Sequence, residues 1–214
     1  MKRKNQRVPA VQRHQQILAV AAELFARQGF HGTTTRQIAE QAQVNEAILF
    51  RHFSQKEDLY WAVIEEKCRE KSAREWLAEQ LAAPADEKTV LTAVAVGLLE
   101  RNAADTTLTR LLLFSALEKH ELSARFVKTY VTEFYDMLAE YIRVRSQMGV
   151  FRRVDPVLAA RGFLGMVLHH FLVQEVLGER RFHKFDMREV CETFVDIWVE
   201  GMRAHPARKG LMRR

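Results

Sequence analysis

The sequence predicts an all-α chain of about nine helices, on three observations. Apolar residues recur at helical spacing through most of the chain, and no segment alternates with the two-residue period of a strand. The breaks between apolar segments begin with good N-cap residues, namely Thr34, Asn45, Asp86, Asp155 and Asp186. They also carry Gly29, Pro84, Gly149 and Gly178, which stop helices. With 214 residues, 48% of them apolar and only 9 Gly and 4 Pro, the chain is long enough for one large or two small domains with a sound core.

A basic arm covers residues 1–10, and Pro9 ends it. The first helix is expected over 11–27, with Ile17, Leu18, Ala21, Leu24 and Phe25 on one face and Gly29 just past its end. Thr34 and Gln37 have the spacing of a capping box and open a second helix that carries Ile38, Ala39 and Ala42. That pattern stops at Gln43-Val44, and Asn45 caps a third helix in which Ile48 or Leu49, with Phe53, packs back on the second. Two short helices crossing about a tight turn form a helix-turn-helix. The outer side of its second helix can enter a DNA major groove.

A second capping box, Ser54 to Glu57, opens a fourth helix expected to reach residue 81, before Pro84. Asp86 caps the fifth, with Val90, Leu91, Val94, Leu98 and Leu99 at helical spacing, and residues 102–105 break it. The sixth is expected over 106–119 and the seventh over about 123–148, ended by Gly149. Asp155-Pro156 is a cap followed by proline at the first helical position, opening an eighth helix over 156–177 with Gly178 as its stop. Asp186 and Glu189 open the ninth as a third capping box. The eighth helix is apolar nearly all round and the ninth on more than one side, so both need cover on several faces. A two-fold dimer through these two helices would supply it, with Leu164, Leu168, Phe171, Phe194, Ile197 and Trp198 as the expected interface. The alternative is that they complete the core of a single chain. A basic tail follows over 205–214, which leaves a helix-turn-helix domain over 11–53 and a helical domain over 54–204.

The net charge of +6 is unevenly spread. Residues 1–60 carry nine basic and five acidic groups, and residues 61–202 carry 19 and 22. A basic end on a slightly acidic body suits a protein that sets one end against phosphates. No apolar signal core follows the basic N-terminus, and no uninterrupted apolar run approaches the length of a membrane span. The expected location is therefore the cytoplasm, with no membrane partner. Cys68 and Cys191 lie inside helical patterns and read as two thiols in a reducing compartment. The chain has no glycine-rich phosphate loop, nucleophile elbow or His-Glu-x-x-His pattern, so no enzyme, cofactor or metal is expected. His169 and His170 are adjacent on a helix, point about 100° apart and are poorly placed to chelate one ion.

Residues 13–62 resemble the TetR family of bacterial transcriptional regulators. The resemblance rests on Ala21-Ala22-Glu23-Leu24-Phe25-Ala26-Arg27-Gln28-Gly29-Phe30, then Thr33-Thr34, Ile38-Ala39, Val44, Phe50-Arg51-His52-Phe53 and Ser54 to Leu59. Where this chain has Gln43, Asn45, Glu46 and Phe50, the family usually has Gly, Ser, Lys or a small residue, and Tyr. The resemblance implies a dimeric repressor that binds a palindromic operator and is released by a small, largely apolar ligand. It implies backbone contacts at Thr34, Phe50, His52 and Lys56, and Arg36 at backbone or base. Asn45, Glu46, Ala47 and Ile48 would meet base edges, with Arg51 on the same side. Ile48 reads equally well as a core residue. The resemblance places the effector among the fifth to seventh predicted helices, with Phe114, Glu118, Tyr130, Phe134, Met166, His169 and Gln174 as candidate lining residues. Plain core packing is the alternative for each of these. Two other functions stay open: an architectural DNA-binding dimer without an effector, and a small-molecule-binding protein whose helix-turn-helix is vestigial.

Overall fold

The computed structural model describes residues 9–71, 73–118 and 121–204. The chain packs as two compact units whose boundary does not follow chain order: 1–73 with 105–126, and 74–104 with 127–214. The basic arm up to residue 8 and the tail from 205 lie outside the described residues. So does residue 72, through which a single helix from 54 to 81 would have to run.

The first unit contains α1 (Ala10–Gln28), α2 (Thr35–Gln41), α3 (Glu46–His52), α4 (Lys56–Lys71) and, after the second unit's first two helices, α7 (Thr107–Leu117) and α8 (Glu121–Phe126). The caps of α2 and α3 are those expected. Thr34 forms a complete capping box with Gln37, and the Asn45 carboxamide accepts from the Ile48 N–H. The Ala42 and Val44 N–H groups close the α2–α3 turn onto Ile38 and Ala39, which needs Gln43 at φ +53°. Ile17, Leu24, Phe25, Ile38, Leu49, Leu59 and Ile64 are fully buried. Of the two residues expected to pack α3 against α2, Leu49 is the one that turns inward. Phe25, Phe30 and Tyr60 meet edge-on or stacked, and the Tyr60 hydroxyl donates to the Leu111 carbonyl at 2.6 Å.

The second unit contains α5 (Ala73–Leu81, from Arg74 on), α6 (Glu87–Ala104), α9 (Thr132–Gln147), α10 (Pro156–Phe171) and α11 (Met187–Met202). Asp86, Asp155 and Asp186 cap α6, α10 and α11 through backbone N–H groups, as their spacing predicts. Two predicted helices are less regular than expected. Residues 127–131 ahead of α9 and 172–176 after α10 adopt the wider π-helical turn. Helix α10 packs on α6, α9 and α11. Trp198 joins these layers: its indole meets Phe151 and Phe163 edge-on and donates to the Ala159 carbonyl at 3.2 Å. Trp76 packs so tightly on α6 that a Cβ at Gly97 would lie 2.2 Å from its ring. By length and composition 156–176 could cross a membrane, contrary to the expectation that nothing here could. Ala160, Phe163 and Val167 of this helix are fully buried in the unit's core.

Candidate nucleic-acid interface

The outer side of α3 is built by the capping geometry. With Asn45 fixing the first turn and Leu49 turned into the core, Glu46, Ala47, Phe50 and Arg51 are exposed and Ile48 is half-buried. That is the side expected to face bases. The Asn45 oxygen is used by the cap, so the cap and a bidentate contact to adenine compete for one group. Glu46 accepts a hydrogen bond from the Thr35 hydroxyl at 2.6 Å, tying the start of α3 to the start of α2. Arg36 is exposed and pairs with Glu40 at 2.9 Å. Its pKa is raised by that hydrogen bond and by the charges of Glu40 and Glu46.

Of the backbone-contact candidates, Lys56 is turned inward, while Thr34 is exposed. Lys56 was expected to meet phosphate from the start of α4. Its ammonium instead donates to the Thr33 carbonyl at 2.8 Å and sits 4.1 Å above the Phe30 ring. A carbonyl and an aromatic face satisfy the cation there, and burial lowers its pKa despite the nearby charges of Glu57 and Glu118. Thr34 has its hydroxyl in the capping box. His52 is half-buried, 5.6 Å from the ring of His14, which stacks on Phe53 at 4.8 Å. Burial lowers the pKa of His14 first, and the neighbouring His52 lowers it further. His14 did not stand out in the sequence; the available signal was its position one turn before Ile17 and Leu18 on the buried side of α1.

Residues 17–63 match the bacterial regulatory proteins of the tetR family, and 89–200, more than half the chain, match the AefR-like transcriptional repressor C-terminal domain. The chain belongs to the TetR family of transcriptional regulators. The regulator YvkB of Bacillus subtilis strain 168, itself uncharacterised, is 24% identical over 196 residues, covering 89% of this TetR-family chain and 97% of its own. The fold is shared with FadR of Bacillus subtilis, solved with stearoyl-CoA, at a TM-score of 0.71 and 20% identity over 89% of this chain and all of that one. It is also shared with AibR, solved with isovaleryl-CoA and operator DNA, at a TM-score of 0.66 and 23% identity over 86% and 97%.

In this TetR-family member the six expected interface residues divide into two sets. Leu164, Phe171 and Trp198 are buried within their own unit: the helical period that brings Ala160, Phe163 and Val167 inward brings Leu164 and Phe171 too, and Trp198 shares the inward side of α11 with Val195, Val199 and Met202. Leu168 and Ile197 are exposed, at 38% and 61%, and Phe194 is half-buried. Leu158, Gly162, Gly165 and His169 are also on the outward side of α10, and the sequence marks Gly162 and Gly165 as positions that let a neighbour approach closely. An open groove of about 650 Å³ runs between α10 and α11, with Leu158, Gly162, Met166, Ile197 and Gly201 among its lining residues.

The expected effector residues do not form one cluster within either unit. Phe114 and Glu118 belong to the first unit, where Glu118 accepts from the backbone N–H groups of Phe30 and His31. In the second unit Met166 lines the groove, while His169 is exposed. Phe134 packs against the core, and Tyr130 sits in the π-helical turn before α9. Gln174 is buried in the turn after α10 and donates to Glu179 at 2.9 Å. Of the adjacent histidines, His170 is the half-buried one, set between Phe185 and Phe194, and burial lowers its pKa.

Proposed function

We propose that the protein is a homodimeric repressor in the cytoplasm that binds a palindromic operator through α3 and is released by a small, largely apolar ligand. The observation that carries this reading is the α2–α3 pair: two capped short helices closed on Leu49, Ile38 and Ala39, with Glu46, Ala47, Phe50 and Arg51 on the open side. One such surface reads only a few bases, so affinity and a two-fold operator both call for a second copy. The exposed apolar side of α10 and α11 is the surface for that copy, with Leu158, Leu168 and Ile197 as contacts and Gly162 and Gly165 allowing close approach. The match over 89–200 to a repressor's C-terminal domain supports the repressor sign. The acyl thioesters bound by FadR and AibR support an acyl chain as the apolar effector.

The test is a mobility-shift titration on the intergenic DNA beside the protein's own gene, with footprinting. A protected two-fold sequence, lost on adding long- or short-chain acyl-CoA, is the expected result. Binding that no acyl-CoA reverses would remove the effector assignment. Absence of any shift at low salt, where phosphate contacts are strongest, would remove the operator reading.

A further inference from the structure

Glu118 follows α7 and faces the turn between α1 and α2 within the first unit. Its Oε2 accepts from the Phe30 N–H at 3.1 Å and its Oε1 from the His31 N–H at 3.3 Å. The fit is close: a Cβ on Gly29 would stand 2.5 Å from Oε1 and 2.9 Å from the Phe114 ring. The rest of the turn is pinned as well. The Thr33 hydroxyl donates to the Gly29 carbonyl at 2.9 Å, and Lys56 of α4 donates to the Thr33 carbonyl at 2.8 Å. Thr34, the next residue, is the N-cap of α2. Helix α7 is itself fixed to the same helices: Arg110 donates to the Ala26 carbonyl near the end of α1 at 2.7 Å, and its Leu111 carbonyl receives the Tyr60 hydroxyl of α4.

These contacts leave the turn little slack. Two residues separate His31, held from α7, from Thr34, which starts α2. A shift of the carboxylate by an ångström either breaks two charge-assisted hydrogen bonds or carries the turn, and α2, with it. We propose that Glu118 is a positioning residue for DNA binding: its carboxylate sets the Phe30–Thr33 turn, and the placement of α7 is thereby conveyed to the start of α2. The inference rests on the operator-binding reading above and adds the group that links α7 to the reading head. An apolar ligand that moved α7 would act on DNA affinity through this carboxylate.

The experiment compares wild type with Glu118→Gln, which keeps the side-chain volume. A carboxamide has one acceptor oxygen, so its NH2 faces one of the two backbone N–H donors. Operator affinity is measured by fluorescence anisotropy well below the melting temperature, alongside hydrogen exchange across residues 29–41. The expected result is a melting temperature within a few degrees of wild type, with affinity reduced about tenfold as the competent turn loses population. Exchange should be faster at Phe30, His31 and the first turn of α2, and unchanged in α4. Wild-type affinity and wild-type exchange in Glu118→Gln overturn the proposal and leave the operator reading intact. If wild type itself binds no operator, that reading falls, and exchange alone decides: faster exchange confined to the turn and α2 supports the positioning role, and unchanged exchange overturns it. Should Glu118→Gln unfold, Arg110→Gln serves as the second variant. It loosens α7 from α1 without touching the turn, and the same fall in affinity is expected.

Discussion

Gly29→Ala is the perturbation whose effect on stability follows most directly from the coordinates. Gly29 sits at φ +76°, ψ 179°, a region essentially closed to residues with a side chain. Placing Ala there costs about 1–3 kcal/mol in backbone strain. The added methyl carbon would also fall 2.5 Å from the Glu118 carboxylate and 2.9 Å from Phe114, so the carboxylate must leave. Its two bonds to backbone N–H groups go with it. One of those donors is part-buried and the other exposed, so water restores the second, and the loss is about 1.5 kcal/mol. Against this, Ala narrows the unfolded ensemble, which returns about 0.5–1 kcal/mol. The net expectation is a loss of about 1.5–4 kcal/mol, large for a single methyl at a turn. Urea denaturation at fixed protein concentration measures it, since a dimer's stability depends on concentration. The double variant Gly29→Ala/Glu118→Ala isolates the clash: with the carboxylate gone, the two changes should fall short of additivity by at least about 1 kcal/mol. A Gly29→Ala protein within about 1 kcal/mol of wild type, or strict additivity, would refute the account of this turn.

Three further outcomes are expected. Gln43 holds a left-handed conformation at φ +53° while exposed to solvent, so Gln43→Gly should raise stability by about 0.5–1 kcal/mol in urea melts; destabilisation would mean that the Gln side chain makes a contact of its own. Leu158→Glu and Ile197→Glu place charge on the exposed side of α10 and α11, and sedimentation should then find monomers of unchanged helicity; dimers at micromolar concentration would remove that surface as the interface. Burial pushes the Asp105 pKa up, but hydrogen bonds from the Thr107 hydroxyl and N–H and from Lys67 outweigh it and hold the value at about 2, below the ordinary 3.8. Because the folded value is the lower one, this stabilisation is present above about pH 4 and is lost as the pH falls toward 2. Asp105→Asn should therefore lack part of the wild-type decline in that window, and identical acid limbs in urea melts at pH 5 and pH 3 would contradict it.

What could be read ahead of the structure depended on how local the determining interactions are. The Thr34–Gln37 box, the Asn45, Asp86, Asp155 and Asp186 caps and the stop at Gly178 each involve residues within four positions of one another, and all stand as their spacing predicts. Lys56 and Glu118 are the contrasting cases. At the start of a helix a lysine reads as a phosphate ligand, and in an apolar region a glutamate reads as a ligand partner. Their bonds are to Thr33 and to Phe30 and His31, 23, 88 and 87 residues away, and no local pattern encodes contacts at that range. The π-helical turns at 127–131 and 172–176 were hidden for a related reason, since one extra residue in a turn leaves the apolar period nearly unchanged.

Helix α10 shows why an apolar pattern can mark a helix for burial without marking which face is buried. Its apolar residues surround it, so the 3.6-residue period carries no direction. Packing supplies one: Ala160, Phe163, Leu164, Val167 and Phe171 meet α6, α9 and α11, which leaves Val157, Leu158, Arg161, Gly162, Gly165, Leu168 and His169 outward. The two sets differ in kind. Phenylalanine and branched side chains fill most of the inward side, while the outward side carries two glycines, and a Cβ at Gly162 or Gly165 would meet nothing within 4 Å. Glycine in mid-helix costs about 1 kcal/mol relative to alanine, and no neighbour among the described residues requires it at either position. A second helix approaching along Gly162 and Gly165 would offset that cost through contact that a larger side chain prevents. Gly162→Ala and Gly165→Ala separate the two accounts by opposite signs. If the helix stands alone they stabilise the fold and leave association untouched. If a second copy lies against these glycines they weaken the dimer while leaving the monomer at least as stable, and sedimentation beside urea melts distinguishes the cases.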